Sequence, residues 1–438
     1  MHITVIAVGS RGDVQPYIAL AEGLRAAGHN ARVATHQEFA PLLAGRGLEH
    51  ALVRGNPRDL LHGPQAYSMM SAQGNPLRFL REFTRLLAPG AARLVQDAIA
   101  ACEGTDALVL SNAGLAPGFC DIAEALRLPC CLGLLQPFLP TRDFASPFLR
   151  ELPTWLGRAR GPYNVLSHHT FLWLFRRFFG RLTRIVRREM GLPSLESSEQ
   201  HRSLLTGGAP IMFAFSPSVV PRPEDWPAQA QVTGYWFLER DAGWQPPTEL
   251  TEFLAAGPPP VYVGFGSMTV PDPAQLTARI TEALDRAGQR AIMLAGSGAL
   301  LADDLPETVL PVESAPHDWL LPRTAAVVHH CGAGTTAAGL RAGVPSVPVP
   351  FFADQPFWAR TIHRLGVAPR PVPRRRLSAA RLARTITQAV TDQQMRARAA
   401  DLGERIRAEA GVTRAVEIVV DYFGREQRHR PERGPASP

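Results

Sequence analysis

The sequence lacks the uninterrupted apolar run of ~18–20 residues that a helical membrane span requires. No basic leading region precedes its first apolar stretch. The start, "MHITVIAVGS", therefore reads as a strand entering a glycine turn rather than a secretory signal, and the expected location is cytoplasmic. Cysteine is scarce and odd in number: Cys102, Cys120, Cys130, Cys131 and Cys331. None stands in a Cys-x-x-Cys or zinc-ligand spacing, so neither a disulfide framework nor a zinc site is expected. No G-x-G-x-x-G with a following acid trails the first strand, which argues against a nicotinamide-dependent oxidoreductase. The formal net charge is +7. Its arginines are scattered and no nucleic-acid motif accompanies them, so only weak anion attraction follows and no nucleic-acid partner is expected.

What remains is a chain of 438 residues, long enough for two or three domains. "ITVIAV" (3–8), "GSRGD", "VQPYIALAEGLRAAG" and "ARVAT" (31–35) compose a strand, a turn, a helix closed by Gly28, and a second strand. "ALVLS" (107–111) and "PCCLGLL" (129–135) are further strands. The second half repeats the pattern with "PVYVGFGS" (260–267), "RAIMLAG" (290–296), "AAVVHH" (325–330) and "SVPVP" (346–350). Alternation of this kind predicts parallel sheets wound by helices, hence α/β architecture with two Rossmann-like doubly wound domains facing across a cleft. The join falls in the proline- and tryptophan-bearing stretch 216–247. The expected division is 1–235, 236–424 and a disordered polar tail over 425–438.

One stretch carries most of the chemistry: "HHCGAGTTAAGLRAGVPSVPVPFFADQPFWA" (329–359). The strand before it ends at the carboxyl edge of a parallel sheet, where α/β proteins bind ligands. Gly332 and Gly334 admit close approach, and Thr335 opens a helix whose free N–H groups and dipole suit a phosphate or diphosphate. His330 adds a donor, or a cation if protonated. Ser267 brings a further hydroxyl. Asp354 and Gln355 follow the next strand, and a carboxylate beside an amide suits a polyhydroxylated group. Asp354 also reads as a helix N-cap.

These residues resemble the donor-sugar signature of family 1 nucleotide-sugar glycosyltransferases of the GT-B fold. "GSRGDVQPYIALAEGLRAAGH", "VPRPEDWP…VTGYWF", "VYVGFGSM" and "PHDWLLPRTAAVVHHCGAGTT" are most similar to the branch that contains sterol glucosyltransferases and bacterial antibiotic or glycolipid glycosyltransferases. The resemblance covers nearly the whole chain. It implies an N-terminal acceptor domain and a C-terminal domain that holds a nucleoside diphosphate sugar, with UDP-glucose the first expectation. Carried over by position, Ser267, His330, Gly332, Gly334 and Thr335 hold the diphosphate. Asp354 and Gln355 hold the sugar, and Ser314, His317 and Trp319 lie on the nucleobase side. Three positions depart from the family. Ala338 stands where plant members place a ribose-binding glutamate, Ser314 where they stack a tryptophan, and Cys331 where close relatives often have glycine.

Displacing a diphosphate with an alcohol needs a base, and Asp13 of "GSRGDVQP" is the candidate; the other reading makes it the N-cap of the helix that begins "VQPY". The region where plant members carry an orienting acid reads "VLSNAG", so Ser111 and Asn112 replace that acid and Asp13 is expected to act directly, with inversion. No Asp-x-Asp motif is present, and neither a metal nor a cofactor is expected. The segment 163–191 places Phe171, Trp173 and Phe175 among arginines. It reads as an acceptor-pocket wall, an amphipathic helix at a membrane surface, or a packed helix. The expected reaction moves a hexose to a hydroxyl of a lipophilic molecule: a sterol, a polyketide or macrolide, or a hydroxylated lipid. A TDP-deoxysugar or rhamnosyl transferase is the alternative, and a catalytically silent nucleotide-binding partner is the reading from another class. The sequence does not specify an oligomeric state.

Overall fold

The computed structural model describes residues 1–55, 76–111, 119–193, 208–295 and 299–429. Two all-parallel sheets organise them. The first has seven strands in the order β3-β2-β1-β4-β5-β6-β7. They are β1 (His2–Ile6), β2 (Asn30–Thr35), β3 (Glu49–Leu52), β4 (Ala107–Leu110), β5 (Cys130–Leu134), β6 (Ile211–Phe213) and β7 (Ala230–Val232). The second has five in the order β10-β9-β8-β11-β12: β8 (Val261–Gly264), β9 (Ala291–Leu294), β10 (Val309–Val312), β11 (Ala326–His329) and β12 (Ser346–Pro348). Strands such as "ALVL" and "VYVG" are buried along their whole length, as parallel strands covered on both faces must be. The expected pair of doubly wound domains is borne out.

Strand order reverses between β1 and β4 in the first sheet and between β8 and β11 in the second. There Ile6 pairs with Leu110 and Gly264 with His329. Crevices at such reversals, beyond the carboxyl ends of the strands, are where ligands sit. The loops that leave β1, β8, β11 and β12 carry the candidate site residues.

Five helices frame the site and the cores beside it: α1 (Arg11–Ala26), α2 (Arg160–Glu189), α3 (Ala333–Ala342), α4 (Gln355–Arg364) and α5 (Gly411–His429). Helix α1 begins at Arg11, earlier than the expected "VQPY", with Ser10 as its N-cap. Asp13 is thus the third helical residue and not the N-cap. Pro16 lies inside α1 and lacks the N–H that would bond the Gly12 carbonyl.

The stretch 216–247 contains no helix, but it does contain β7, which pairs with β6 and so belongs to the first sheet. Helix α5 returns to the first half. Its Val416, Val419 and Phe423 share a core with Ile18, Ala21 and Leu24 of α1. Gly23 permits this approach, since a Cβ there would lie 2.7 Å from Val412. The helix runs through Arg425–His429, residues whose polarity alone suggested a tail; the remainder of that stretch lies outside the described residues. Cys102, Cys130, Cys131 and Cys331 are free thiols.

Candidate active site

The site begins at the start of α3. Its N-cap is Gly332, and no side chain caps it. Three other helices of this half are capped by a side-chain oxygen, from Asp272, Ser378 and Asp392, whereas those that start after Pro247, Pro316 and Asp354 are, like α3, not. The first N–H groups of α3 are therefore left to a ligand, and the helix dipole adds partial positive charge there. Ser267, Thr335 and Gly334 all retain exposure at this point.

The two histidines before α3 do different jobs. His329 is fully buried, and its Nδ1 accepts from the Cys331 N–H at 3.2 Å. It is a core residue. His330 stands at the glycine turns. A Cβ on Gly266 would lie 3.0 Å from its Cε1, and one on Gly332 would collide with its Nε2. Burial pushes the His330 pKa down to about 4, with the Gly264 carbonyl opposing and His317 adding to the fall. Its Nδ1 has no partner within hydrogen-bond geometry. His330 is thus neutral at physiological pH, and a neutral ring keeps one N–H that can donate.

Cys331 adopts φ +66°, the left-handed region that favours glycine. Glycine would adopt it without strain. Ala353, beside Asp354, has φ +54°. Strain of this kind collects at functional loops.

Asp354 is partly buried at the head of α4. Its Oδ2 accepts from Trp358 Nε1 at 2.9 Å and from Gln136 Nε2 at 3.3 Å. Burial raises its pKa to about 6, these hydrogen bonds oppose the rise, and the charge of Asp13 adds to it. Gln355 faces inward. Its Oε1 accepts from the Phe351 and Phe352 N–H groups at 2.8 and 3.2 Å, and its Nε2 lies 3.4 Å from Met268 Sδ. That amide shapes the loop.

Asp13 comes from the other half. Its Oδ2 accepts from the Ser10 N–H at 3.0 Å and the Ser10 hydroxyl at 2.8 Å. Burial nonetheless raises its pKa, outweighing both bonds. The two halves meet here: Arg11, the first residue of α1, acts electrostatically on His317 and Tyr262 of the second half.

On the nucleobase side, Ser314 is exposed. His317 Nε2 is 3.1 Å from the Tyr262 hydroxyl. Trp319 packs edgewise on Trp244 at 5.3 Å and carries the Arg323 guanidinium on its face at 4.4 Å. Ala338 is partly buried within α3. The three aromatic residues of α2 expected at an acceptor pocket, Phe171, Trp173 and Phe175, do not share one face. Phe171 stacks on Phe148 at 4.5 Å and Phe175 on Phe179 at 4.4 Å, whereas Trp173 is 62% exposed. Ser111 is buried at the end of β4, and Asn112 lies outside the described residues. Sequence reasoning missed Gln136; only the pairing of β5 with the first sheet brings it to the cleft. Among the described residues no three His, Cys, Asp or Glu side chains could hold a metal ion.

Comparison with known proteins places this geometry. Residues 3–132 match the glycosyltransferase family 28 N-terminal domain, and residues 283–421 match the erythromycin biosynthesis protein CIII-like C-terminal domain. The chain is 38% identical over 432 residues to the sterol 3-beta-glucosyltransferase of Emericella nidulans, and 37% over 434 residues to that of Penicillium rubens. Each alignment takes in 96% of this chain but only 30% of the relative, so the chain spans less than a third of their length. Among solved structures it is similar to the glycosyltransferase SnogD from Streptomyces nogalater (23% identity, TM-score 0.64, covering 97% of this chain and 100% of that one). It is also similar to the glycosyltransferase VinC in complex with dTDP (18% identity, TM-score 0.65, covering 97% and 100%). These structural likenesses concern the fold. With an N-terminal and a C-terminal domain matched in order and sequence relatives aligned along 96% of its length, the chain belongs to the glycosyltransferases of the GT-B fold.

Proposed function

We propose that the protein transfers glucose from UDP-glucose to the hydroxyl of a sterol, with inversion at the sugar carbon and without a metal. The observation that carries this reading is the meeting of Asp13 with the uncapped start of α3 across the cleft. The names of the relatives favour a sterol acceptor and glucose.

In this reading Asp13 takes the proton of the acceptor hydroxyl. The alcohol oxygen attacks the anomeric carbon as the bond to the diphosphate oxygen breaks, and UDP leaves with the bonding pair. Charge gathering on the diphosphate is met by the N–H groups of Gly334 and Thr335, the hydroxyls of Ser267 and Thr335, and the neutral imidazole of His330. Asp354 accepts sugar hydroxyls, and Gln355 holds the loop that presents it. His317 lies toward the nucleobase.

The test is UDP release from UDP-glucose with a panel of sterols, polyketides and hydroxylated lipids. Transfer to a sterol supports the full reading. Activity only with a TDP-deoxysugar or a rhamnosyl donor moves the donor assignment. Binding of UDP without transfer to any acceptor favours the silent partner.

Helix α2 supports a second reading, contact with a membrane surface. Leu166 and Trp173 are 61% and 62% exposed, and Arg177, Arg181, Arg184 and Arg188 continue the same solvent face. Leu77, Leu149, Trp173, Leu174 and Phe178 line a groove of about 570 Å³ there. No helix among the described residues is long and apolar enough to cross a membrane, so the contact is interfacial. Sedimentation with phosphatidylserine-containing vesicles, lost in Trp173→Ala, is the expected result. Equal recovery with and without vesicles overturns it.

A further inference from the structure

Asp354 belongs to the second half of the chain, yet the groups that fix its carboxylate come from both halves. Trp358, one turn along α4, donates to Oδ2 at 2.9 Å. Gln136, just past β5, donates to the same oxygen at 3.3 Å from 218 residues away in sequence.

The first half also holds the rest of α4. Phe357 meets Phe144 at 5.6 Å, and Trp358 meets Phe215 at 6.0 Å, both edge to face. Glu151 of the first half pairs with Arg364 at 2.9 Å and with Arg360 at 3.3 Å. Phe357 and Trp358 are each 1% exposed. These contacts set where α4 lies. Among the described side chains of the first half, Gln136 is the one that donates to the carboxylate itself.

We propose that Gln136 is a positioning residue for the donor sugar: it aims the Asp354 carboxylate from the first half, so that the sugar subsite is complete only when the two halves are closed on one another. This rests on the reading of Asp354 as the sugar-binding acid. Both side-chain donors converge on Oδ2, so Oδ1 is the oxygen turned to a sugar hydroxyl. An amide suits the task. It donates to the carboxylate without a charge that would draw Asp354 into an ion pair and compete with the sugar. It also offsets a cost of closing. Asp13 lies on the first half, its charge opposes that of Asp354, and Gln136 delivers a hydrogen bond to Asp354 from that same half.

The experiment uses the full chain and two variants. Gln136→Ala removes the side chain; Gln136→Met keeps its length and approximate volume and removes the whole amide, N–H donor and carbonyl acceptor alike. Affinity for UDP and for UDP-glucose is measured by titration calorimetry, with TDP-glucose in parallel, beside Asp354→Ala. Both Gln136 variants should lose about tenfold in affinity for the sugar nucleotide, the scale of one hydrogen bond to a charged group. Affinity for the bare nucleotide should stay unchanged, because it carries no sugar. In turnover, KM for the donor should rise more than kcat falls. The acid limb of kcat/KM should move to higher pH, because a donor favouring the ionised carboxylate is gone. A structural role alone would lower Tm and would not separate sugar nucleotide from nucleotide. If Gln136→Met binds the sugar nucleotide as wild type does while Asp354→Ala does not, the inference is overturned and the sugar-site reading stands. If Asp354→Ala also binds normally, or wild type binds no sugar nucleotide, that reading fails and takes the inference with it.

Discussion

A Cβ added to Gly334 of α3 would lie 3.6 Å from the Cα of Gly12 in α1. The starts of two helices from two halves of the molecule thus face one another. Whatever sits against the free N–H groups of α3 also meets the first turn of α1, and Asp13 is the residue after Gly12. Asp13→Ala and Asp13→Asn should each lower kcat by ~10²–10⁴, the usual contribution of a general base, while leaving UDP affinity intact. Ser10 loses its acceptor in the Ala variant, a cost of ~0.5–2 kcal/mol, so Tm belongs beside the kinetics. Full activity in both variants would reduce Asp13 to a partner of Ser10.

Two acids and one imidazole set the expected pH dependence of activity. Asp354, raised to about 6, must be ionised to accept sugar hydroxyls. Asp13, also raised, must be ionised to take a proton. Both are lost as pH falls, so kcat/KM should decline on the acid side, with the Asp354 step near 6. His330, pushed down to about 4, stays neutral through this range and should contribute no step of its own above pH 5. A profile measured with and without Asp354→Asn checks the assignment. An unmoved limb would exclude Asp354 as its source.

Stability responds to pH through a different set of groups. His168, His317 and His330 are each pushed down to about 4, and His329 to about 3, all chiefly by burial. In the unfolded chain they take up protons near pH 6.5. Below that value unfolding binds protons that the folded state refuses, so stability falls as pH drops from about 6.5 toward 4. Asp354 and Asp13 work in the opposite sense, because the folded state holds their protons at higher pH than the unfolded chain does. Burial also lowers His29 and His36 and raises Asp143 and Glu409, so six imidazoles stand against four carboxyls and the balance is a net loss. Tm should be lower at pH 5 than at pH 7; an equal or higher Tm at pH 5 would contradict these buried neutral rings.

Gly332 has ordinary φ, −61°, so conformational freedom is not its reason for being glycine. Space is, because a Cβ there would strike His330 Nε2. Gly332→Ala should displace the imidazole and weaken UDP binding by about tenfold, in the range of one lost hydrogen bond to a charged group. The Gly334 Cβ position meets only Gly12 at ordinary van der Waals distance. Gly334→Ala should therefore leave the His330 ring in place. Nuclear magnetic resonance of the His330 ring in the two variants distinguishes them.

The strands that carry the site were legible in the sequence because parallel strands buried on both faces leave short apolar runs, and "VYVGFGS" and "AAVVHHCGAGTT" are such runs ending in glycine turns. Their ends shifted by a residue or two, because helix caps and not hydrophobicity decide where an element stops. That shift matters for Asp13, which moved from a candidate cap to the third residue of α1. Gln355 reads as a sugar ligand by type and position; that its Oε1 accepts from the Phe351 and Phe352 N–H groups depends on the turn before α4 and was not legible. An acceptor-pocket wall is one of three readings of Phe171, Trp173 and Phe175, but a step of two residues turns about 200° around a helix and sends Trp173 outward. Gln136 carried no local signal, since its role arises only when β5 and α4 are brought together across the cleft.

The first half also contains a buried ion pair whose removal should be felt by the whole molecule. Arg187 of α2 is fully buried and pairs with Asp121, which is 1% exposed. It also reaches the half-exposed Glu124 at 2.9 Å and donates to the Pro193 carbonyl at 2.8 Å. Taking away one member of such a pair leaves the other charge buried, at a cost of about 3–5 kcal/mol. Arg187→Leu should therefore lower the unfolding free energy by that order. The double variant Arg187→Leu with Asp121→Leu should recover most of it, because an apolar pair strands no charge. Glu124→Gln should cost far less, since water still reaches that carboxylate. Urea unfolding of the set decides: equal losses for Arg187→Leu and the double variant would mean that packing of the arginine stem, and not the stranded Asp121, carries the stability.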